Sequence, residues 1–210
     1  MMDQTVRYFR SGDLARLSSP ACEGCGDCCR GMGDTIVLDP YDAHCLAAGL
    51  GKPFAEMIGD SVELHVENGV ILPHLAMKKD ACSFLGEDGR CRIHLFRPGI
   101  CRLFPLAREF GEDSVRYFVL PGACPMSGRS KVRIDRWIGI PDMDQYENFK
   151  LSWHRFLKKA EAFAVRLSHE EQEKLSLFLL ETFFLRPYED DFYLLIDRRI
   201  KRAGKALFHD

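Results

Sequence analysis

The chain has 210 residues, of which 46% are hydrophobic and 29% charged, and this composition excludes a disordered or collagen-like protein. At this length we expect one domain whose core is large enough to be stable without cross-links. Its 29 Lys and Arg residues nearly balance 31 Asp and Glu residues, so no overall positive field attracts nucleic acid. No run of about 18 apolar residues occurs either. We therefore expect neither nucleic acid nor a membrane as a partner.

Nine cysteines are the unusual feature of the composition. They are too few for a small disulfide scaffold, and the N-terminal sequence MMDQTVRYFR lacks the apolar run and cleavage site of a secretory signal. We therefore expect a cytoplasmic protein. In that reducing compartment, cysteines more often bind metals or do redox chemistry than form disulfides. All nine lie between Cys22 and Cys124. This distribution predicts a cysteine-cluster metal-binding region over 1–130 and a helical region over 131–210, joined as one continuous unit.

The cysteine-rich region is predicted to be mainly loop with a minor antiparallel sheet. A β-branched run at residues 35–38 precedes Asp39-Pro40, a helix N-cap with a first-position proline, and a short helix that ends at Gly49. Alternating apolar residues on both sides of Asn68-Gly69 predict a β-hairpin. A further strand is predicted over residues 114–120.

The rest of the chain is predicted to form about three helices. From Tyr146 to Ala164 apolar residues recur at three- and four-residue spacing, as on the buried face of a helix. A capping box at Ser168 and Glu171 begins a second helix, and Pro187 separates it from a third. The predicted fold class is therefore α+β: a loop-rich cysteine-cluster domain with a small antiparallel sheet, packed on a C-terminal helical bundle.

The densest group of cysteines is CxxCxxCC, formed by Cys22, Cys25, Cys28 and Cys29 in the glycine-rich stretch ACEGCGDCCRGMGD. A tight turn brings two thiolates of a CxxC pair to one side, each about 2.3 Å from a shared zinc. The pattern favours a metal or cluster site over reduced structural cysteines or a disulfide. Side chains of adjacent residues tend to diverge. We therefore expect either Cys28 or Cys29 to serve another site, to lie in the core or to act as a thiol.

Four further cysteines follow at wider spacing: Cys82, Cys91, Cys101 and Cys124. The Cys124-Pro125 pair is similar to the end of a ferredoxin-type pattern, although there the spacing is short. Cys45 lies in an apolar helix and is interpreted as a small core residue. The other eight cysteines suffice for two four-thiolate sites or for one cluster with additional thiols.

Within this set the predicted core ligands are Cys22, Cys25 and Cys28, and either Cys124 or Cys29 completes their site. Cys82, Cys91 and Cys101 then form a second site or clamp the first. An all-thiolate set suits both zinc and an iron–sulfur cluster. The extra thiols and the Cys124-Pro125 pair slightly favour the cluster.

Polar residues accompany the second group of cysteines. His94 is interpreted as a residue beside the site or at the surface rather than as a zinc ligand. Arg97 and Arg102 flank Cys101. Three roles are open for their guanidinium groups: to offset the negative charge of the thiolates, to hold an anionic substrate, or to form ordinary salt bridges.

The ordered motifs resemble those of a known family. After CxxCxxCC the chain carries CSFL at residues 82–85, GRCRIH at 89–94, RP at 97–98 and CRLFP at 101–105. This set resembles the YkgJ-like CxxCxxCC cysteine-cluster family of zinc- or iron-chelating proteins over residues 20–126. The resemblance implies a metal-binding domain whose motif positions are Cys22, Cys25, Cys28, Cys29, Cys82, Cys91 and Cys101.

Two other functions remain open. The family includes a related region in flagellin lysine N-methylases, so the resemblance allows a protein-modifying enzyme or accessory factor in which the cluster is structural or positions the substrate. Against this, the sequence has no GxxxxGK[ST] motif and no GxGxxG between a strand and a helix. Alternatively, the metal is a staple for a protein-interaction module, which implies a protein partner.

Overall fold

The computed structural model describes residues 6–17, 26–124 and 130–208. These residues form eight short strands and six helices, with the longest helices near the C-terminal end, which confirms the predicted α+β class. The strands are β1 (Leu14–Arg16), β2 (Val62–Glu67), β3 (Val70–Leu75), β4 (Met77–Lys78), β5 (Ala81–Cys82), β6 (Leu106–Phe110), β7 (Val115–Val119) and β8 (Lys131–Arg133). The helices are α1 (Pro40–Leu50), α2 (Gly99–Leu103), α3 (Ile134–Ile138), α4 (Met143–Ala164), α5 (His169–Leu180) and α6 (Phe192–Phe208).

The strands pair two by two in antiparallel fashion, as β1–β8, β2–β3, β4–β5 and β6–β7. The predicted hairpin is β2–β3, and its turn residues Asn68 and Gly69 both have positive φ, 49° and 83°, as a two-residue hairpin loop requires. The strand predicted at residues 114–120 is β7, paired with β6. Residues 35–38 form no strand. Val37 makes only an isolated bridge to His74.

Helix α1 begins as its sequence predicts. The Asp39 side chain accepts a hydrogen bond from the Asp42 backbone, and the Asp42 side chain accepts one from the Asp39 backbone. Pro40 occupies the first helical position, where a missing N–H costs nothing. The helix continues past the predicted end and is closed by Gly51 at a φ of 64°.

The C-terminal helices enclose an aromatic core. Phe183 is fully buried, and its ring centroid lies 5.0 Å from that of Trp153 and 5.1 Å from that of Phe156. Ser168 and Glu171 form the predicted capping box of α5. Helix α5 continues directly into a π-helical turn over Glu181–Leu185.

The hydrophobic core includes residues from both sides of position 130, such as Leu46, Val70, Ile134 and Phe183. Strand β3 packs on α5, where the Ile71 backbone donates a hydrogen bond to Ser176 Oγ at 3.1 Å. The boundary between the two predicted regions remains a prediction. Among the helices within 6–17, 26–124 and 130–208, none has the length and apolar character needed to cross a membrane.

Candidate metal centre

Six of the predicted ligands lie within the described residues, in short elements or in the segments that follow them. Cys28 and Cys29 are in a 3₁₀ turn over Asp27–Cys29, Cys82 is in β5 and Cys101 is in α2. Cys91 follows a tight turn, and Cys124 follows β7. Of these thiols Cys82 is buried and the others are half-buried. The predictions for Cys22 and Cys25 fall outside the described residues.

The second half of the CxxCxxCC motif is attached to the hairpin that carries Cys82. Arg30 forms an antiparallel bridge with Ala81, and the Gly31 backbone donates a hydrogen bond to the Asp80 carbonyl at 3.0 Å. On its other side, Gly26 lies against the turn that precedes Cys91. A Cβ at Gly26 would lie 3.3 Å from the Gly89 carbonyl oxygen, and its φ of 69° also favours glycine. The part of the motif from Gly26 to Gly31 is therefore held between two segments that each carry a cysteine.

Helix α2, which carries Cys101, is positioned from two sides. The Gly99 backbone donates a hydrogen bond to Asp42 Oδ1 at 2.7 Å, which ties α2 to the start of α1. Position 99 has no room for a side chain, because a Cβ there would lie 2.1 Å from Tyr146 Oη in α4. The packing of α1 and α4 therefore fixes the backbone two residues before Cys101.

The adjacent thiols Cys28 and Cys29 converge. Their Sγ atoms are 3.9 Å apart. The expectation that the two side chains diverge is therefore wrong, because the tight 3₁₀ turn after Gly26 overrides the tendency of neighbouring residues to point apart. This close pair is the one direct sulfur–sulfur contact in the part of the chain that the structure describes.

The hydrogen bond between the two thiols shifts their pKa values in opposite directions. The hydrogen bond from Cys29 lowers the pKa of Cys28 to about 6 against the opposing effect of burial, and the positive charge of Arg97 adds to the lowering. The same hydrogen bond raises the pKa of Cys29, as does burial. These shifts favour the thiolate form of Cys28, which accepts a hydrogen bond from the Cys29 thiol.

The other thiols of the cluster are harder to ionise. Burial raises the pKa of Cys82, of Cys91 and of Cys101. Negative charge on Cys28 raises all three pKa values further, so these thiols lie within electrostatic reach of Cys28. If these thiols ionised together, their negative charges would repel one another, and a cation among them would remove that repulsion.

The remaining polar residues have structural partners. Arg102 donates hydrogen bonds to the carbonyls of Leu95 at 2.6 Å and Arg97 at 3.0 Å. It therefore stabilises the chain between Cys91 and Cys101, a role that differs from the salt bridge or substrate contact considered above. His94 contacts Arg97 through Nε2, and burial lowers the pKa of His94.

The two remaining described cysteines are Cys45 and Cys124. Cys45 is half-buried in α1, and burial raises its pKa to about 12; its interpretation as a core residue remains a prediction. Cys124 is half-buried at the end of a described segment, and its role as a ligand remains a prediction. Within the described ranges, no group of three or more Cys, His, Asp or Glu side chains is placed to hold a metal ion.

Sequence reasoning missed a buried polar cluster beside the thiols. Lys150 of α4 forms an ion pair with Asp39, and burial alone would lower the pKa of Lys150, but the Asp39 carboxylate outweighs this and raises it. The sequence did contain a signal. Lys150 follows Tyr146 by four residues and precedes Trp153 by three, which places it on the buried face of the helix and requires a buried acid nearby.

The described residues form an α+β protein in which the Cys28–Cys29 pair lies between the segments that carry Cys82 and Cys91. A family model matches residues 21–125, half of the chain, under the description "CxxCxxCC: Putative zinc- or iron-chelating domain". The chain therefore belongs to the CxxCxxCC family, as its motifs indicate. Searches of the curated proteins and of the solved structures found no match.

Proposed function

We propose that this protein binds zinc or iron through a multi-thiolate centre in which Cys28 and Cys29 ligate the same ion. The supporting observation is their Sγ–Sγ distance of 3.9 Å. Two sulfurs that are each about 2.3 Å from one tetrahedral ion lie about 3.8 Å apart. The pair therefore already has the spacing of one edge of a tetrahedral thiolate site.

Cys22 and Cys25 are the proposed additional ligands, because the CxxC spacing brings them towards the same ion. Cys82, Cys91 and Cys101 lie within electrostatic reach of Cys28, and they either bind a second metal or complete a cluster with the first. Cys124 is retained as an alternative ligand. Arg97 offsets part of the negative charge, since it already lowers the pKa of Cys28.

The Cys29 thiol carries the proton that metal binding displaces, because metal ligands must be deprotonated. A bound metal supplies a cross-link that joins the CxxCxxCC loop to the segments on either side of it. This cross-link is the expected role of the metal in this protein. Enzymatic activity related to flagellin lysine N-methylation, a protein-interaction role and a cytoplasmic location remain predictions.

The test is the amount of iron, zinc and acid-labile sulfide per monomer after purification without air and without added metal. Zinc or iron at one or more equivalents supports the proposal, and sulfide in the same amount as iron identifies an iron–sulfur cluster, which the sequence favours slightly. The Cys29→Ser variant is expected to lose at least half of the metal. Cys45→Ser, which removes a thiol from α1, is the matched control and should retain it.

Two outcomes would contradict the proposal. One is protein that contains only traces of metal while all nine thiols react as free cysteines. The other is a Cys29→Ser variant with the same metal content and the same resistance to chelators as the parent protein, which would show that Cys28 and Cys29 do not share an ion.

A further inference from the structure

A cavity of about 520 Å³ lies in the groove between α4 and α6. Its volume is within the range of about 300–1,000 Å³ that is usual for small-molecule sites. Asn148 and Ser152, one helical turn apart, line it on the α4 side, and Tyr193 and Ile196 line it on the α6 side. The Tyr193 ring is stacked on Tyr41 of α1 with 5.8 Å between the ring centroids. The cavity is therefore bounded by packed helices.

The charged side chains that line this cavity are acidic. They are Asp191, which directly precedes α6, and Asp197 within it, and both are exposed. Asp191 Oδ1 accepts a hydrogen bond from the Leu194 backbone at 2.9 Å. Asp197 Oδ2 accepts one from Lys201 at 2.7 Å, and an exposed ion pair of this kind is weak. The second oxygen of each carboxylate has no partner in the part of the chain that the structure describes.

The lining determines the class of ligand. No lysine, arginine or histidine is among the described residues that line the cavity, so an anionic ligand would meet two carboxylates and no cation. An ammonium group would meet two acceptors of opposite charge. Tyr193, Ile196 and the half-exposed Leu194 add apolar surface for an aliphatic body. The cavity therefore suits an aliphatic cation.

We propose that this cavity binds a linear aliphatic diamine, with one ammonium group on Asp191 Oδ2 and the other on Asp197 Oδ1. The two residues are six positions apart, which corresponds to about 9 Å along a helix axis, and an extended diamine with a hydrogen bond at each end spans this distance. Its methylene chain then lies against Tyr193 and Ile196. The site is independent of the proposed metal function, since it uses none of the cysteines.

The test is thermal unfolding of the full chain, as purified, with increasing cadaverine, pentylamine or glutarate, which have the same chain length but carry two, one and no ammonium groups. Sodium chloride at equal ionic strength is the reference. Cadaverine is expected to raise Tm saturably, by about 3–5 °C at about ten times Kd. Pentylamine reaches only one carboxylate and should bind about fivefold more weakly.

Three outcomes would contradict the proposal. If cadaverine does not raise Tm above the chloride reference, the cavity binds no diamine. If the dianion glutarate stabilises the protein as well as cadaverine does, the sign of the site is wrong. Equal affinity for cadaverine and pentylamine would overturn the assignment of two carboxylates.

Substitutions test whether the two carboxylates are responsible. Asp191→Asn and Asp197→Asn should each weaken cadaverine binding about fivefold, and the double variant at least tenfold. Asparagine at position 191 keeps an oxygen that caps α6, so the variant is expected to fold. Asp190→Asn removes the same charge from an exposed neighbour that does not line the cavity, and it should bind like the parent protein. An equal loss in Asp190→Asn, or unchanged affinity in the double variant, would overturn the assignment.

Discussion

Residues 26–124 and 130–208 are stabilised by different means. The first segment contains short paired strands joined by tight turns, and its longest helix, α1, has 11 residues. The second segment contains α4 with 22 residues and α6 with 17. Aromatic rings from α4 and from the turn after α5 pack face to edge in its core, as Trp153 and Phe183 do.

This difference indicates which region depends on a cross-link. A two-stranded hairpin is only marginally stable by itself in water, so the cysteine-rich segment needs further support from the helices or from a metal. Helices with a large apolar face obtain their stability from packing. We therefore expect metal binding to stabilise residues 26–103 and to have little influence on the aromatic core.

The largest expected effect is in that core. Phe183→Ala removes a fully buried ring and should lower the free energy of unfolding by about 3–5 kcal/mol. Phe178→Ala, in the same continuous helical segment but 38% exposed, is the control and should cost less than about 1.5 kcal/mol. Urea unfolding with and without a chelator measures both. A Phe183→Ala cost that disappears when the metal is removed would contradict the expectation that metal binding has little influence on the aromatic core.

A smaller effect is expected where the two regions meet. Gly99→Ala places a methyl group 2.1 Å from Tyr146 Oη, and such overpacking should cost about 2–3 kcal/mol. In the double variant Gly99→Ala, Tyr146→Phe, the nearest remaining atom is the ring carbon at 3.4 Å, which is an ordinary contact. Urea unfolding should therefore show a large favourable coupling energy. Strictly additive costs would mean that the hydroxyl is not the cause.

Local signals predicted much of this fold from the sequence. Asn68-Gly69 identified the hairpin, and the polar residues at Asp39 and Ser168 identified two helix starts, because turns and caps depend on neighbouring residues. The pairing of Leu14 with Arg133 was not predictable in this way, since it joins strands more than a hundred residues apart. Strand β6 was missed as well, because a half-buried arginine at its centre obscures the apolar alternation.

The candidate site was predictable in composition but not in geometry. The spacing of the motifs indicated which cysteines are candidate ligands, and which of them share a site remains a prediction. The close approach of Cys28 and Cys29 depends on the backbone turn after Gly26. The cluster around Asp39 and Lys150 depends on contacts between α1 and α4. Those contacts follow from tertiary packing, which a single sequence does not specify.

The smallest of these effects concerns the polar contacts between α1, α2 and α4. Burial raises the pKa of Asp42 to about 7, and the neighbouring Asp39 carboxylate contributes to this increase. Because an unfolded aspartate has a pKa near about 3.9, the folded state binds the proton more tightly. The stabilisation from this group is therefore complete below about pH 4 and is lost as the pH rises through about 7.

Asp42→Asn cannot ionise, so it should lack this pH dependence while keeping an oxygen that accepts the hydrogen bond from Gly99. Between pH 5.5 and 8.5 its stability relative to the parent protein should rise by on the order of 2 kcal/mol. Asp113→Asn is the control, because the Asp113 side chain is 87% exposed, and its relative stability should stay constant within about 0.5 kcal/mol. Urea unfolding at several pH values measures the free energy of unfolding of each variant relative to the parent protein. A difference between Asp42→Asn and the parent that does not change with pH would mean that Asp42 is ionised throughout this range, and that the contact between α1 and α2 carries a full buried charge.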